Sequence, residues 1–318
     1  MKPAAASPLH PRNRFRDGYH FPRLMAASPA LKPFVAKNPY GNLSIDFANP
    51  DAVLALNQAL LKDAYDIDWS IPRGALCPPI PGRSDYIHHL ADLLGGGDED
   101  AIPSGPVVKI LDIGAGASCI YPIIGAAEYG WRFVATETDV TSMRWARQIV
   151  RVNPEIAGLI ECQLQTNPRA CFEGIAKRGE VFDASMCNPP FHASAAEALD
   201  ASQRKRRNLK LDKTLPALNF GGQSGELWCE GGELGFIQRM IEESAQSPTI
   251  CRWFTTLVSK SEHLPRLRQS LKEARVVDAE IVEMAQGQKK SRVLAWTFFR
   301  PTSRPSRSSL RVLHPHTS

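Results

Sequence analysis

Two spacings of apolar residues divide this chain. From residue 107 onward, short runs rich in Val, Ile and Phe alternate with longer segments whose apolar positions return every three or four residues. The runs predict buried strands, the segments predict amphipathic helices, and their alternation predicts a largely parallel α/β sheet. The expected strands are 107–113, 131–136, 159–164, 181–187, 251–257, 276–284 and 292–299. Between them the spacing predicts helices over 141–152, 234–245 and 262–275, with a further apolar helix running up to Tyr129. The last two strands flank Gln286-Gly287-Gln288-Lys289-Lys290, which reads as a polar, basic turn closing a hairpin.

Upstream the pattern weakens. Residues 1–48 are rich in Pro, Arg and Asn without a sustained period, so an irregular arm is expected there. Asn49-Pro50-Asp51 supplies a cap, a first-turn proline and an early acid, and Val53, Leu54, Leu56, Leu60 and Leu61 follow at helical spacing. Pro72, Pro78, Pro79 and Pro81 break residues 66–82, an amphipathic helix follows over 83–94, and 95–100 form an acidic, glycine-rich surface link. The expected division is a basic arm with an accessory helix (1–80), an α/β domain (81–300) and a disordered basic tail (301–318).

Composition narrows the class. A chain of 318 residues, 43% hydrophobic and 22% charged, is ordinary for a soluble globular protein. No run approaches the length of a membrane span, and residues 1–11 lack the apolar core of a signal peptide. Seven cysteines with no Cys-x-x-Cys pair predict free thiols, a cytoplasmic location and no metal site. The net charge of +5 is unevenly spread. Residues 1–37 carry Lys2, Arg12, Arg14, Arg16, Arg23, Lys32 and Lys37 against Asp17 alone. Residues 200–213 are likewise basic, residues 300–318 carry arginines and no acid, and the remainder is net acidic. Cationic segments on an acidic body suit a polyanionic partner such as RNA, although solvated tails share that composition. His10-Pro-Arg-Asn-Arg-Phe15 also interleaves cations with an aromatic, as strand-binding surfaces do.

The run at 181–187 ends in Asn188-Pro189-Pro190-Phe191. Two prolines cannot continue a sheet ladder and hold the backbone extended. The Asn188 amide and the Phe191 ring are therefore delivered on stiff backbone at the carboxyl end of a strand, where open α/β sheets bind ligands. An amide oxygen beside the Pro189 carbonyl offers two acceptors facing one way, the complement of an exocyclic amino group, with an aromatic floor for a flat base. An ordinary proline-terminated strand would carry the same tetrapeptide. Gly114 and Gly116 follow the strand at 107–113 without the third glycine of a dinucleotide fingerprint, so the turn admits something smaller. Asp112 precedes them, and Glu137 ends the next strand, where this architecture places an acid on a ribose hydroxyl pair.

Asn-Pro-Pro-Phe in this position resembles the motif of S-adenosylmethionine-dependent amino methyltransferases, which act on adenine N6, cytosine N4 or a glutamine amide. Six further blocks extend the likeness: His10-Pro-Arg-Asn-Arg14, Ile87-His88, Asp112-Ile-Gly-Ala-Gly-Ala-Ser-Cys-Ile-Tyr-Pro122, Ala135-Thr-Glu137, Glu230-Gly-Gly-Glu-Leu234 and Leu294-Ala-Trp296. Together they resemble the RlmF family, bacterial 23S ribosomal RNA adenine-N6 methyltransferases, over roughly residues 10–300. The resemblance implies a Rossmann-like methyltransferase sheet of seven strands carrying a basic N-terminal RNA-binding extension. It implies S-adenosyl-L-methionine as cofactor and 23S rRNA or a large-subunit assembly intermediate as partner, with a monomeric enzyme expected. Asn188, Pro189, Pro190 and Phe191 match the adenine clamp, and Arg83, Gly114, Ser118 and Glu137 match cofactor contacts, to which Asp112 and Gly116 are added. Asn167-Pro168 stand where eukaryotic relatives have a threonine-containing cofactor loop. For RNA, the basic residues expected to grip are Arg12, Arg14, Arg204, Lys205, Arg206, Arg207, Lys289 and Lys290, with residues 192–231 as a lid. The alternatives are an adenine in another structured RNA or in DNA, a protein glutamine, and a non-catalytic RNA-binding ribosome-assembly factor. The basic arms argue against glutamine, and the intact clamp and ribose acid argue against a dead pocket.

Overall fold

The computed structural model describes residues 9–177, 179–192, 194, 197, 228–286, 289–300 and 311–313. In chain order the elements are α1 (Phe21–Ala27), β1 (Val35–Lys37), β2 (Leu43–Ile45), α2 (Pro50–Tyr65), α3 (Ile80–Leu94), β3 (Lys109–Ile113), α4 (Ile120–Tyr129), β4 (Arg132–Glu137), α5 (Val140–Val152) and the single turn α6 (Pro154–Ala157). There follow β5 (Ile160–Leu164), β6 (Phe182–Cys187), α7 (Gly232–Gln246), β7 (Cys251–Val258), α8 (Leu264–Glu273), β8 (Asp278–Gln286), β9 (Lys289–Thr297) and β10 (Arg311–Leu313).

The seven expected strands form one sheet in the order β8-β9-β7-β6-β3-β4-β5. Strands β7, β6, β3, β4 and β5 run parallel, and β9 lies antiparallel between β7 and β8. This is the predicted Rossmann-like α/β sheet with its hairpin end. The chain steps outward from β3 to β5 and then returns to lay β6 on the other flank of β3. The winding therefore reverses between β3 and β6, the place where such sheets hold ligands. Ile113 is level with Thr136 of β4 and with Cys187 of β6, so Gly114, Glu137 and Asn188 stand close together at one sheet edge.

Helices bury both faces. Tyr86, Ile87 and Leu90 of α3, Ile123 and Ile124 of α4 and Ile149 of α5 pack in one cluster with Ile110 and Phe133 of the sheet. Ile237, Met240 and Ile241 of α7 and Leu267 and Leu271 of α8 fill the second. At Gly125 an added Cβ would meet Phe133 Cζ at 2.4 Å, so only glycine lets α4 lie this close to β4.

Four features differ from the sequence reading. The N-terminal arm is folded, with α1 and a β1–β2 hairpin, and Phe15, Phe21, Leu24, Leu31 and Ile45 join the core that covers the sheet. The expected boundary at residue 80 therefore separates no two cores. Elements this short and proline-broken carry no detectable period. Helix α3 begins at Ile80 rather than 83, because Pro81 sits in its first turn, where a missing N–H costs nothing. Lys289 and Lys290 lie within β9, opposite Gln286 and Ala285, and not in the turn. Arg311–Leu313, in the tail expected to be disordered, pair with residues 280–282 of β8; the rest of the tail lies outside the described residues.

The segment read as a strand-binding surface is instead a staple along α3. His10 N donates to Asp85 Oδ1 at 2.8 Å, and Asn13 Nδ2 donates to the same oxygen at 2.7 Å and to Pro81 O at 2.8 Å. The Asn13 Oδ1 accepts from Phe15 N at 2.9 Å. Further along the helix, His10 Nε2 and an Arg12 guanidinium nitrogen bond the two oxygens of Asp92 at 2.8 and 2.5 Å. Substituting Asn13→Ala should cost about 1–3 kcal/mol, since it removes a donor from buried Asp85 and the acceptor of Phe15 N. Denaturant unfolding checks this as a lowered midpoint at unchanged slope. A loosely attached arm would give no shift.

Candidate active site

The turn after β3 is built for close approach. Gly114 (φ +76°) and Gly116 (φ +62°) both take left-handed backbone, and a Cβ on Gly114 would meet nothing within 4 Å, so the turn faces open space. Gly114 N and Ala115 N donate to Thr136 O at 3.0 and 2.8 Å, and Gly116 N donates to Glu137 Oε2 at 2.9 Å. Glu137 Oε1 accepts from Thr138 N at 2.7 Å and Asp139 N at 2.9 Å. Oε1 also accepts from Thr138 Oγ1 at 3.2 Å, so the acid expected on a ribose also organises two turns and keeps a lone pair for a further donor on Oε2. Trp69, which sequence reading passed over, donates from Nε1 to Ser118 O at 2.9 Å and closes the turn from below.

Asp112 is 1% exposed, and neither of its oxygens makes a hydrogen bond. Burial above all, and then the charge of Glu137, pushes its carboxyl up to about 8, against a smaller pull from Arg83. Arg83 Nη1 donates to Tyr121 Oη at 2.6 Å, with the guanidinium 5.4 Å from the ring centroid. Tyr121 thus positions the cation that lies near Asp112, a role no local motif signals.

The residues expected to form the clamp follow β6 directly. Asn188 Oδ1 is buried and unbonded, and the Phe191 ring is half-buried. Immediately beyond, His192 pairs with Trp228, and Cys229 N donates to His192 O at 3.1 Å. The long loop is therefore drawn together at its base beside the clamp. Most of the expected lid, with Arg204, Lys205, Arg206 and Arg207, lies outside the described residues. Glu233, in the Glu-Gly-Gly-Glu block, accepts from Ser259 N at 2.7 Å, Lys260 N at 3.3 Å and His263 Nδ1 at 2.7 Å, tying the start of α7 to the end of β7. Glu243 accepts from the backbone of Cys171, Phe172 and Glu173 at 2.6–2.8 Å and anchors the loop after β5. That loop starts at Gln165, whose N–H donates to Glu137 O at 2.9 Å, and Asn167 N donates to Gln165 Oε1 at 2.8 Å. Asn167 is thus held near Glu137.

Two basic residues of the arm, Arg12 and Arg14, are engaged internally. Arg12 donates to Asp92, to Tyr129 Oη at 3.2 Å and to His88 O at 3.2 Å, and is 25% exposed. Arg14 donates to Glu128 at 2.8 Å and to Ala64 O at 3.1 Å and lies over Tyr65; its side chain keeps 49% exposure and so an outward edge. Lys289 and Lys290 are placed by their backbone in β9. His10, His89 and Asp92 bring three potential metal-ligating atoms within 4.8 Å of one another. However, His10 Nδ1 accepts from Arg12 N at 3.2 Å, which assigns the proton to Nε2, aimed at Asp92. A proton and a guanidinium take the places a cation would need, and hydrogen bonds from His10 and Arg12 pull Asp92 down to about 2 despite its burial. The donor set does not fit a metal.

The raised Asp112 carboxyl makes a signed prediction. Its folded pKa near 8 lies above the ordinary 3.8, so between those values folding takes up a proton and stability falls as pH rises. Asp112→Asn cannot ionise. Its unfolding free energy relative to the native protein should therefore climb from about pH 4 to pH 8 and level off above. Parallel stability curves would place the Asp112 pKa at its ordinary value.

A family model described as RNA methyltransferase matches residues 3–300. Ribosomal RNA large subunit methyltransferase F of Pseudomonas aeruginosa (strain LESB58) is 55% identical over 298 residues, covering 92% of this chain and 89% of the relative. The protein of the same name from Pectobacterium atrosepticum is 52% identical over 305 residues, covering 95% and 97%. Among solved structures, the catalytic domain of hMettl16 in complex with the MAT2A 3'UTR hairpin 1 aligns with a TM-score of 0.78 at 34% identity, covering 95% of this chain and 99% of that one. The N-terminal domain of human METTL16 in complex with SAH aligns at 0.73 and 31%, covering 92% and 99%. By the extent of the family match and by these identities, this chain belongs to the RNA methyltransferase family.

Proposed function

We propose that this protein transfers a methyl group from S-adenosylmethionine to the N6 amino group of one adenine in 23S ribosomal RNA. The observation that carries the reading is the pair of unused acceptors, Asn188 Oδ1 and the Asp112 carboxyl, at neighbouring strand ends where the sheet winding reverses. Buried acceptors are ordinarily bonded, and two orphans in one crevice call for donors from outside the chain. The hMettl16 structure with an RNA hairpin and the METTL16 structure with SAH support both ligand classes.

The residues fit the cofactor. Asp112 offers acceptors to an ammonium group, which would also favour its ionised form. Glu137 Oε2 offers its spare lone pair to a ribose hydroxyl, Gly114 and Gly116 admit backbone approach, and Arg83 and Ser118 complete the pocket. S-adenosylmethionine supplies an electrophilic methyl group. The clamp does the rest by placement. Asn188 Oδ1 and the Pro189 carbonyl each accept one amino hydrogen, which weakens conjugation of the nitrogen lone pair with the ring. Pro190 keeps the backbone stiff and Phe191 stacks on the base. Orientation of this kind is worth roughly 7–11 kcal/mol in well-aligned systems. The amino nitrogen releases one proton to water as its new bond forms, so no general base is required. Extracting the base from a stack costs about a few kcal/mol, less in an RNA loop.

Incubation with labelled cofactor and total RNA from cells lacking the enzyme should place the label on one adenine of 23S RNA. Label on a cytosine, or on no RNA, would overturn the proposal. Asn188→Ala should abolish transfer while cofactor affinity stays within a few fold. Normal turnover in that variant would remove the amide from the mechanism.

The grip on RNA is assigned to the basic loop. Neutralising Arg204, Lys205, Arg206 and Arg207 together should weaken RNA binding and lower its log–log salt slope by about 0.7 for each single-strand phosphate that is no longer neutralised. Affinities measured at several salt concentrations test this, and an unchanged slope would make the loop a solvated charge.

A further inference from the structure

Strand β6 is paired with β3 as far as Cys187, but its ladder with β7 ends at Ser185 opposite Phe254. β7 itself runs on to Val258, paired there with β9. The two central strands therefore part just before the clamp, and the β7-facing edge of β6 loses its ladder partners where Asn188 must be aimed. Two hydroxyls fill the gap. Thr255 Oγ1 bonds Ser185 O at 2.7 Å, and a carbonyl can only accept, so the threonine proton is spent there. Tyr86 Oη lies 2.7 Å from Thr255 Oγ1 and must be the donor in that contact. The phenolic oxygen is then left with lone pairs, and Cys187 N donates to it at 3.4 Å. All four residues are at most 1% exposed. Burial holds the Tyr86 phenol well above its ordinary range, so it remains a donor.

We propose that Tyr86 is a positioning residue for methyl transfer: with Thr255 it replaces the missing ladder between β6 and β7 and sets the backbone from which Asn188 projects. This rests on the reading of Asn188 to Phe191 as the amino-group clamp. Tyr86 stands on α3 beside Arg83. Its ring meets Tyr121 edge-on at 5.4 Å and 84°, and Tyr121 Oη in turn accepts from Arg83. One helix thus braces the clamp and presents the cation near Asp112. The hydroxyl acts on alignment rather than on ligand binding, so its loss should appear in kcat.

The test compares Tyr86→Phe, Thr255→Val, Thr255→Ser and Asn188→Ala by steady-state kinetics on the RNA substrate and by calorimetric cofactor affinity. Tyr86→Phe should lower kcat roughly ten- to a hundredfold, the cost of sub-ångström to ångström misplacement, with RNA KM and cofactor Kd within about twofold. Thr255→Val should match it, the double variant should add little, and Thr255→Ser, which keeps the hydroxyl, should restore most of the rate. Should Tyr86→Phe fold poorly, the Thr255→Val and Thr255→Ser pair carries the same comparison. Native kcat in Tyr86→Phe or Thr255→Val, beside an inactive Asn188→Ala, would overturn the proposal and leave the clamp standing. So would a fall in kcat matched by a comparable rise in KM and Kd, which marks a merely structural role. Full turnover in Asn188→Ala would instead defeat the clamp and this inference with it.

Discussion

Everything chemical in this protein depends on the lateral register of three strands. Ile113 sits level with Thr136 on one side and Cys187 on the other, so the turns after β3, β4 and β6 emerge in one row. A slip of one residue in either pairing would send Asp112 or Cys187 to the opposite face, because side chains alternate across a strand. The register is held well beyond the ladder. Gly114 N and Ala115 N tie the first turn to Thr136 O, Gly116 N ties it to Glu137, and the Tyr86–Thr255 pair holds the end of β6 where its ladder with β7 has stopped. The core supports this from both faces, with Gly125 letting α4 approach closely enough to fill the space over β4.

The same crevice is the least satisfied part of the described interior. Asp112 and Asn188 each bury an acceptor without a donor, and such groups cost free energy that well-packed alternatives would not. Asp112 meets this cost by holding its proton, which burial and Glu137 both favour. A ligand bearing an ammonium group would reverse the balance, drawing the proton off and replacing desolvation by an ion pair. Asn188 cannot neutralise itself and so stays mismatched until a donor arrives. Stability withheld at these two positions is available for binding, as expected where a site is organised ahead of its ligand.

The parts legible in the sequence are those with a local signature. The β-branched runs gave the seven central strands to within two or three residues at each end, the Asn49 cap appears with its side chain accepting from Asp51 N and Ala52 N, and the proline pair ends β6 where expected. The residues that were missed act across long stretches of chain. Trp69 reaches Ser118, Glu243 reaches Cys171 to Glu173, and Tyr86 reaches Thr255, and no periodicity encodes such pairings. The arm was hidden for a different reason. Its α1, β1 and β2 are too short to show a period, and the arm is held by packing on α2 and, through His10 and Asn13, by bonds to α3 far away in sequence.

Charge was the weakest guide, and the arm shows why. A count of cations along residues 1–37 suggests a polyanion-binding strap, yet Arg12, Arg14 and Arg23 are each paired with an acid of the body: Asp92, Glu128 and Asp63. These three cations are thus drawn into contacts between arm and body. Pairing of this kind, partly shielded from water, consumes the potential that a phosphate backbone would feel. What remains outward includes Arg23, the exposed edge of Arg14, Lys32 and Lys37, and the sequence carries further cationic excess in residues 200–213 and 300–318. His192 pairs with Trp228 a few residues beyond Asn188, so the stretch that carries residues 200–213 leaves and rejoins the fold there. An attachment point beside the candidate site, rather than the total number of cations, is therefore the reason the proposed RNA grip falls on this segment.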